Sequence, residues 1–140
     1  MNRILAINPG STSTKVGVFD DENCVFKRTI THSEEELSQF PKLFDQLGFR
    51  CEIVKRVLRD AKVSGESCTA IAARGGLLPP IRSGAYLVTL EMIDYLRKRP
   101  QLIHASNLGA ELAYTLGVPY NLPCYIYDPV TVDEMLPVYK

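Results

Sequence analysis

The chain has no excess of either charge: 16 Lys and Arg residues balance 16 Asp and Glu residues over 140 positions. Nucleic acids and anionic membranes attract basic surfaces, so this balance argues against both as main partners. One local basic cluster, Arg97-Lys98-Arg99, is interpreted as a solvated helix end favoured by the helix dipole. No apolar run approaches the length of a membrane span and no signal-peptide pattern is present, so we expect a cytoplasmic protein.

The chain has few cysteines, and their spacing is not that of a metal site or a redox pair. Cys24, Cys51, Cys68 and Cys124 form no C-x-x-C pair, and no histidine lies near them at zinc-ligand spacing. We expect reduced and mostly buried thiols, as is usual in the cytosol. Hydrophobic residues make up 46% of the chain, which is enough for one domain with a core.

Two common nucleotide-binding signatures are also missing. There is no G-x-x-x-x-G-K-[ST] loop and no G-x-G-x-x-G spacing. Instead, an apolar run at Ile4–Ile7 leads into a polar stretch, Asn8–Lys15, and a second apolar run follows at Val16–Phe19. This order predicts a strand, a tight polar turn and another strand.

The polar turn has two interpretations. Glycine and hydroxyl residues are ordinary in hairpin turns and need no function. Alternatively, the backbone N–H groups of a tight turn converge on an anion, and hydroxyls and an ammonium group add further donors. On the second interpretation the hairpin binds phosphate, with contacts from the following residues: Asn8, Gly10, Ser11, Ser13 and Lys15.

The next part of the chain predicts a third strand and two helices. Cys24–Thr31 can form the strand, and Ser33 with Glu36 matches a helix-starting capping box. Pro41 predicts a break in the first helix, and Gly48 predicts its end. A second helix is expected at about Phe49–Lys62.

The rest of the sequence, after residue 62, predicts two further strands, one short strand and helical connections between them. The strands are Cys68–Ala73 and Leu122–Tyr127, with short pairing expected near Tyr86-Leu87-Val88. Thr89 is expected to cap a helix that runs to Arg97, and Ser106 to cap a helix over Asn107–Leu116. The tail, Thr131–Lys140, is typical of the start of another helix. The order is β-β-β-α-β-α-β, an α/β domain with a mixed sheet flanked by helices.

Polar side chains follow three of the predicted strands. Asn8, Arg74 and Asp128 come at the carboxyl ends of strands, where α/β sheets bind their ligands. An amide, a guanidinium and a carboxylate on one rim suit a metal-bound nucleotide and an anionic second substrate. Taken singly, Arg74 can be a surface ion-pair residue and Asp128 a turn residue before Pro129.

His104 precedes the predicted helix that Ser106 caps. A helix start offers free N–H groups to an anion, and an imidazole there could donate to a phosphoryl oxygen. The alternative is that Ser106 only caps the helix and His104 packs against the protein. His32 has no surrounding motif and is taken as structural or exposed.

Four segments resemble the carboxylate kinases, and butyrate kinases in particular. The opening Ile7–Lys15 resembles the phosphate-binding hairpin of the acetate and sugar kinase, Hsp70 and actin superfamily, and Asn8 matches acetate kinase where many members have Asp. Arg74–Ile81 is similar to the substrate-arginine segment, His104–Gly109 to the second active-site segment, and Asp128–Met135 to the catalytic-aspartate segment. The resemblance implies a ribonuclease H-like, actin-like ATPase domain over 1–140.

The resemblance also implies an activity and roles for individual residues. It implies an ATP-dependent kinase that interconverts butyrate and ATP with butyryl phosphate and ADP. Arg74 would bind the carboxylate or the transferring phosphoryl group, and His104 would stabilise its charge. Asp128 would act through magnesium or position the nucleophile, and Asn8 would help to hold the metal. Gly10, Ser11, Ser13 and Lys15 would bind the nucleotide phosphates.

The family places its nucleotide between two related domains, and this chain has the length of one. We therefore expect the 140-residue chain alone to have little or no kinase activity. The resemblance also implies that the full-length form is a homo-oligomer. Four alternatives stay open at this point. The substrate could be acetate, propionate or a branched-chain acid, or the domain could be a non-catalytic binding module.

Overall fold

The described strands form one mixed sheet. The computed structural model describes residues 2–74, 85–98 and 105–127 of the chain. The strands are β1 (Arg3–Pro9), β2 (Ser13–Asp20), β3 (Asn23–Thr31), β4 (Ala70–Arg74), β5 (Ala85–Leu87) and β6 (Cys124–Tyr127). Their order across the sheet is β3-β2-β1-β4-β6-β5.

Strand directions divide the sheet into an antiparallel part and a parallel part. β1, β2 and β3 pair as an antiparallel meander, whereas β1, β4 and β6 run parallel to one another. β5 pairs antiparallel with β6 and is the outermost described strand on that side of the sheet. The mixed α/β architecture predicted from the sequence is confirmed. The carboxyl ends of β1, β4 and β6 therefore meet at one edge of the sheet.

Helices and short turns connect the strands. The α-helices are α1 (Glu34–Leu37), α2 (Leu47–Asp60), α3 (Leu90–Arg97) and α4 (Gly109–Gly117). Single 3₁₀ turns occupy Leu43–Gln46, Gly65–Ser67, Ala105–Leu108 and Val118–Tyr120. Within the three described stretches, no helix is both long and apolar enough to cross a lipid bilayer.

One face of the sheet, here the helix face, contains the core. Side chains alternate across a strand, so alternate residues of each strand share a face. The helix face consists of Leu5, Ile7, Val16, Val18, Ile71, Ala73 and Ile126, all of them buried. Apolar residues of α2 and α4 belong to the same core, and Cys124 Sγ donates to the Ala113 carbonyl oxygen of α4 at 3.1 Å. Both helices therefore pack on this face.

The opposite face, here the half-exposed face, has smaller and more polar residues. By strand register it includes Ala6, Asn8, Lys15, Ala72, Arg74 and Tyr125, of which Lys15 is exposed and the rest are partly buried. Gly17, Ala70 and Tyr127 share this face and are buried. The two faces of the sheet thus differ in both chemistry and solvent contact.

The capping box at the start of α1 is confirmed, and the prediction for Gly48 is wrong. Ser33 Oγ accepts from the Glu36 N–H at 3.1 Å, and Glu36 Oε1 accepts from the Ser33 N–H at 2.9 Å. α1 ends before Pro41, as predicted. Gly48 lies inside α2, because the 3₁₀ turn at Leu43–Gln46 runs straight into that helix and leaves no gap to close.

Thr89 caps α3 as predicted, whereas Ser106 does not cap α4. Thr89 Oγ1 accepts from the Met92 N–H at 3.1 Å. Ser106 lies within the 3₁₀ turn that precedes α4, and the N-cap position belongs to Leu108, which has no side-chain acceptor. The extra turn satisfies the start of the helix with backbone geometry, so a hydroxyl cap is unnecessary.

The cysteines are mostly buried, as predicted, whereas Arg97 of the basic cluster ends its helix as predicted but is ion-paired rather than solvated. Cys51, Cys68 and Cys124 are buried, Cys24 is exposed, and all four are free. Arg97 makes two short bonds to Glu111, at 2.6 and 2.7 Å, and lies over the Phe44 ring. The predicted helix at Thr131–Lys140 lies outside the described residues.

Candidate active site

The hairpin between β1 and β2 has the predicted strand, turn and strand. Asn8 lies opposite Lys15, and Pro9 lies opposite Thr14. The Gly10 N–H donates to the Ser13 carbonyl oxygen at 2.8 Å and closes the turn. A Cβ at Gly10 would lie 3.1 Å from Ser13 Oγ, so glycine suits this close approach. One backbone hydrogen bond thus closes the turn.

Most of the predicted phosphate-binding side chains share the half-exposed face. Directly opposed residues of an antiparallel pair project to the same side, which groups Asn8 with Lys15. Ser13 is two residues before Lys15 and follows the same alternation. Ser11 is exposed in the turn itself. An amide, two hydroxyls and an ammonium group therefore lie near one end of the sheet.

Arg74 lies at the same edge. It is the last residue of β4, and Ile7 of β1 pairs with Ala73 in parallel register. One step further along each strand, Asn8 and Arg74 are neighbours on adjacent strands, which are ~4.8 Å apart. Arg74 also pairs with Tyr127, the last residue of β6. Two of the three strand-end residues predicted from the sequence are thus brought together.

The two other predicted catalytic residues, His104 and Asp128, lie outside the described residues. The structure does describe the residue next to each of them, Tyr127 before Asp128 and Ala105 after His104. Tyr127, which pairs with Arg74, directly precedes Asp128 in the sequence. Ala105, which directly follows His104, is buried at the start of a 3₁₀ turn. The strand that pairs with Arg74 therefore leads directly into the predicted catalytic-aspartate segment.

The turn at Ala105–Leu108 packs against the carboxyl edge of the sheet. It contacts β1, and its polar residues Ser106 and Asn107 are buried. α4 begins immediately afterwards with Gly109, where an added Cβ would overlap the Arg74 carbonyl oxygen. Glycine allows the helix start to approach the end of β4 this closely. The described part of the His104–Gly109 segment is therefore next to Arg74.

Sequence reasoning missed a buried polar cluster on the helix face beneath the hairpin. It consists of Arg50 from α2, Thr14 from β2 and His32, which follows β3. Thr14 Oγ1 and His32 Nε2 are joined by a 2.8 Å hydrogen bond, and Arg50 Nη1 donates to Thr14 Oγ1 at 3.3 Å. One signal was available: Arg50 falls three, four and seven residues before Ile53, Val54 and Val57, on the apolar side of the helix.

Burial dominates the electrostatics of this cluster. It lowers the pKa of Arg50 to about 10, so the guanidinium stays charged at neutral pH. Burial also lowers the pKa of His32 below 6.5; the charge on Arg50 lowers it further, while Glu36 acts in the opposite direction. The His32 ring packs edge-on against Phe49, with centroids 5.1 Å apart. At neutral pH the cluster therefore contains one positive charge.

The described residues offer limited ligands to a metal. Among them, no group of three or more His, Cys, Asp or Glu side chains is arranged to hold an ion. Asn8 supplies one amide oxygen at the carboxyl edge, and Asp128 lies outside the described residues. Magnesium is commonly held by one or two protein oxygens together with substrate phosphates. The described donors are compatible with such a partial site.

A cavity of about 520 Å³ lies near the opposite end of the parallel strands. Its lining includes Leu58, Val63, Cys68 and Tyr120. Cys68 precedes β4, whereas Arg74 ends that strand, so this cavity is separate from the candidate active site. Burial raises the pKa of the Cys68 thiol, which makes it a poor nucleophile.

Curated relatives match almost the entire chain. It is 49% identical over 135 residues to a probable butyrate kinase of Thermotoga petrophila. It is 46% identical over 135 residues to butyrate kinase 1 of Clostridium acetobutylicum. Both matches cover 96% of this chain, which spans 38% of the length of each relative. No family model matches the chain.

Solved structures share the fold at low sequence identity. The Porphyromonas gingivalis acetate kinase superposes with a TM-score of 0.59 at 16% identity, over 91% of this chain and 37% of that one. T. thermophilus RuvC, solved with a Holliday junction substrate, gives a TM-score of 0.51 at 15% identity, over 91% of this chain and 64% of that one. Proteins of unlike function thus share this fold, so function has to be argued from the site.

Proposed function

We propose that this chain is the N-terminal domain of a short-chain carboxylate kinase, because 96% of it is similar to a probable butyrate kinase and to a butyrate kinase, at 49% and 46% identity. The complete enzyme would transfer a phosphoryl group between ATP and butyrate, giving butyryl phosphate and ADP. The observation that carries the proposal is the shared edge of β1 and β4, where Asn8, Lys15 and Arg74 lie on one face.

Phosphoryl transfer to a carboxylate depends mainly on neutralising negative charge and on aligning the two substrates. A carboxylate is already ionised at pH 7, so the nucleophile needs no strong base. Its oxygen would form a bond to the γ-phosphorus of ATP while the bond from that phosphorus to the β–γ bridging oxygen breaks. Arg74 would bind the carboxylate or the moving phosphoryl group, and His104 would stabilise its negative charge. Asp128 would position the nucleophile.

The hairpin would hold the nucleotide phosphates. Gly10 closes the turn, and Ser11, Ser13 and Lys15 would contact phosphate oxygens. Asn8 and Asp128 would hold magnesium, which when bound would neutralise negative charge on the phosphates. Nothing in this hairpin provides an adenosine pocket, so we propose that a second domain, absent from this chain, completes the nucleotide site.

We propose further that the protein acts in the cytoplasm, where free thiols are stable, and that the full-length form is a homo-oligomer. The charge balance favours small-molecule substrates over nucleic acid or membrane partners. Size-exclusion chromatography of the full-length protein with light scattering tests the oligomer, and a monomer would contradict it.

The experiment that tests the activity is an acyl phosphate assay. The full-length protein, meaning the complete polypeptide that contains this chain, is incubated with ATP and magnesium. Butyrate, acetate, propionate and isobutyrate are compared, and the acyl phosphate is trapped with hydroxylamine. We expect kcat/KM to be highest for butyrate, although one methylene is worth only ~1–3 kcal/mol in an apolar pocket.

Two outcomes would contradict parts of this proposal. No acyl phosphate from any of the four acids would exclude carboxylate kinase activity and favour a non-catalytic module. A higher kcat/KM for acetate, propionate or isobutyrate would change the assigned substrate and leave the reaction class intact. The 140-residue chain is assayed beside the full-length protein, and measurable turnover by the chain alone would contradict the need for a second domain.

A further inference from the structure

Arg50 is fully buried beneath the hairpin, with an exposed fraction of 0%. Its Nη1 donates to the Ser13 carbonyl oxygen at 2.8 Å, and its Nη2 donates to the Ser11 carbonyl oxygen at 3.5 Å. The Nε donates to Gln46 Oε1 at 3.0 Å, which fixes the guanidinium plane from the 3₁₀ turn that precedes α2. Arg50 therefore binds the backbone of the same turn that is proposed to hold phosphate.

The charge of Arg50 has no carboxylate partner within ion-pair distance among the described residues. Burying a cation without an opposite charge is unfavourable, so the contacts that Arg50 makes must offset that cost. Its partners are neutral: two carbonyl oxygens, the Thr14 hydroxyl and an amide oxygen. A positive charge thus lies directly behind the turn, on the side opposite the predicted phosphate contacts.

Peptide geometry links this contact to the outer surface of the turn. The described chain has no cis peptide bond, and the C=O and N–H of a trans peptide point in opposite directions. Because the Ser11 carbonyl points to Arg50, the Thr12 N–H points away from the helix face. The Thr12 carbonyl is fixed as well, since it accepts from the His32 N–H at 2.8 Å. The turn is therefore held from behind in one orientation.

We propose that Arg50 is a positioning residue of the phosphate-binding hairpin. It holds the Ser11 and Ser13 carbonyls toward the helix face, so that the turn is already shaped for a nucleotide phosphate before binding. It also adds a permanent positive charge behind that phosphate. This inference rests on the proposed function and extends it to a residue that touches no ligand.

The test measures ADP binding by isothermal titration calorimetry in the full-length protein. Arg50→Lys keeps the charge but cannot reach Gln46, Ser11 and Ser13 together. We expect its Kd for ADP to rise about tenfold, the loss of one charge-assisted hydrogen bond. Arg50→Met removes charge and contacts, and its Kd should rise further. Arg56→Met is the matched control, because Arg56 is exposed on the same helix, and its Kd should stay unchanged.

Steady-state kinetics separate positioning from general damage. A loss of folded protein lowers kcat without changing KM, whereas a misplaced hairpin raises the KM for ATP and leaves the KM for the carboxylate unchanged. Circular dichroism verifies that each variant is folded. If both Arg50 variants fail to fold, Gln46→Met tests the proposal instead. It removes the hydrogen bond that fixes the Arg50 guanidinium plane, and it should raise the Kd for ADP about threefold.

The possible failures are distinguishable. A wild-type protein that does not bind ADP overturns the hairpin proposal and this inference together. A wild-type protein that binds ADP, with folded Arg50 or Gln46 variants that bind it equally well, overturns only the role of Arg50. An equal rise in the KM values for ATP and carboxylate indicates general damage to the site and also overturns it.

Discussion

The two faces of the central sheet are made from alternate residues of the same strands, yet at the carboxyl ends of β1 and β4 they differ in polarity and in exposure to solvent. On the helix face, Ile7 and Ile71 are buried beneath α2 and α4. On the half-exposed face, Asn8 and Arg74 follow one and three residues later at the carboxyl edge. Apolar burial is the main source of stability, and access to solvent is required for a substrate.

Residues expected to stabilise the fold and residues proposed to bind substrate therefore alternate along the same strands. A mutation on the helix face should reduce the free energy of unfolding, and one on the carboxyl edge should reduce activity. Arg50 is the exception that connects them, since it lies on the helix face but binds the turn that leads to the other face.

The largest effect is expected at the carboxyl edge of the half-exposed face. In the full-length protein, Arg74→Met should lower kcat/KM for butyrate by ~10²–10³, because one donor to a transition-state charge is lost. Its free energy of unfolding should change little. Lys27→Met is the control, since Lys27 is an exposed cation that pairs with Gly17, away from the carboxyl edge. Unchanged kcat/KM in Arg74→Met would contradict the proposal that this edge binds the substrate.

On the helix face, the effect should appear in stability. Ile71→Ala truncates a side chain with an exposed fraction of 1%, and should lower the free energy of unfolding by ~2–5 kcal/mol. Leu87→Ala removes an apolar side chain that is 55% exposed, and should change it by less than ~0.5 kcal/mol. Urea denaturation measures both. Equal losses in the two variants would contradict the assignment of the core to one face.

Gly109 at the start of α4 and Gly48 in α2 differ in the space around them. Gly109→Ala places a Cβ against the Arg74 carbonyl and should lower stability by ~1–3 kcal/mol while reducing activity. Gly48→Ala has no atom within 4 Å of the new Cβ and should raise stability by ~0.4–1 kcal/mol. Thermal unfolding and the acyl phosphate assay test the pair. Full activity in Gly109→Ala would show that the close approach to Arg74 is unnecessary.

The smallest effect concerns pH and the buried cluster. Burial lowers the pKa of folded His32 below 6.5, so the unfolded state takes up a proton first as the pH falls. The stability from neutral His32 is complete above pH 6.5 and is lost as the pH falls from there toward the folded pKa. His32→Gln should flatten the dependence of unfolding free energy on pH between 7.5 and 5.5. An identical slope in both proteins would show that His32 does not titrate this way.

Much of the fold could be predicted because local signals were strong. Alternating apolar residues indicated β1 and β2, and the capping box at Ser33 and Glu36 began a helix where expected. Gly48 and Ser106 were interpreted wrongly, because a 3₁₀ turn joins the helix in each case and replaces the expected end or cap. Such turns depend on tertiary packing and leave little trace in the sequence.

The position of the site at the strand ends could be predicted, whereas the contact between Arg50 and the hairpin beneath it could not. The parallel register brings Asn8 and Arg74 together as expected. Arg50 comes 36 positions after Thr14, its hydroxyl partner. No local pattern joins two residues so far apart, and an arginine on an apolar helix side resembles an ordinary irregularity. The roles assigned to His104 and Asp128 stay predictions.

Hydrogen exchange of the full-length protein, with and without ADP and magnesium, tests directly whether phosphate binds the hairpin turn on the half-exposed side. Slower exchange in the peptide that covers residues 8–15, with unchanged exchange in residues 53–63 of the helix side, is the predicted result. Protection of residues 53–63 without protection of the hairpin would contradict it.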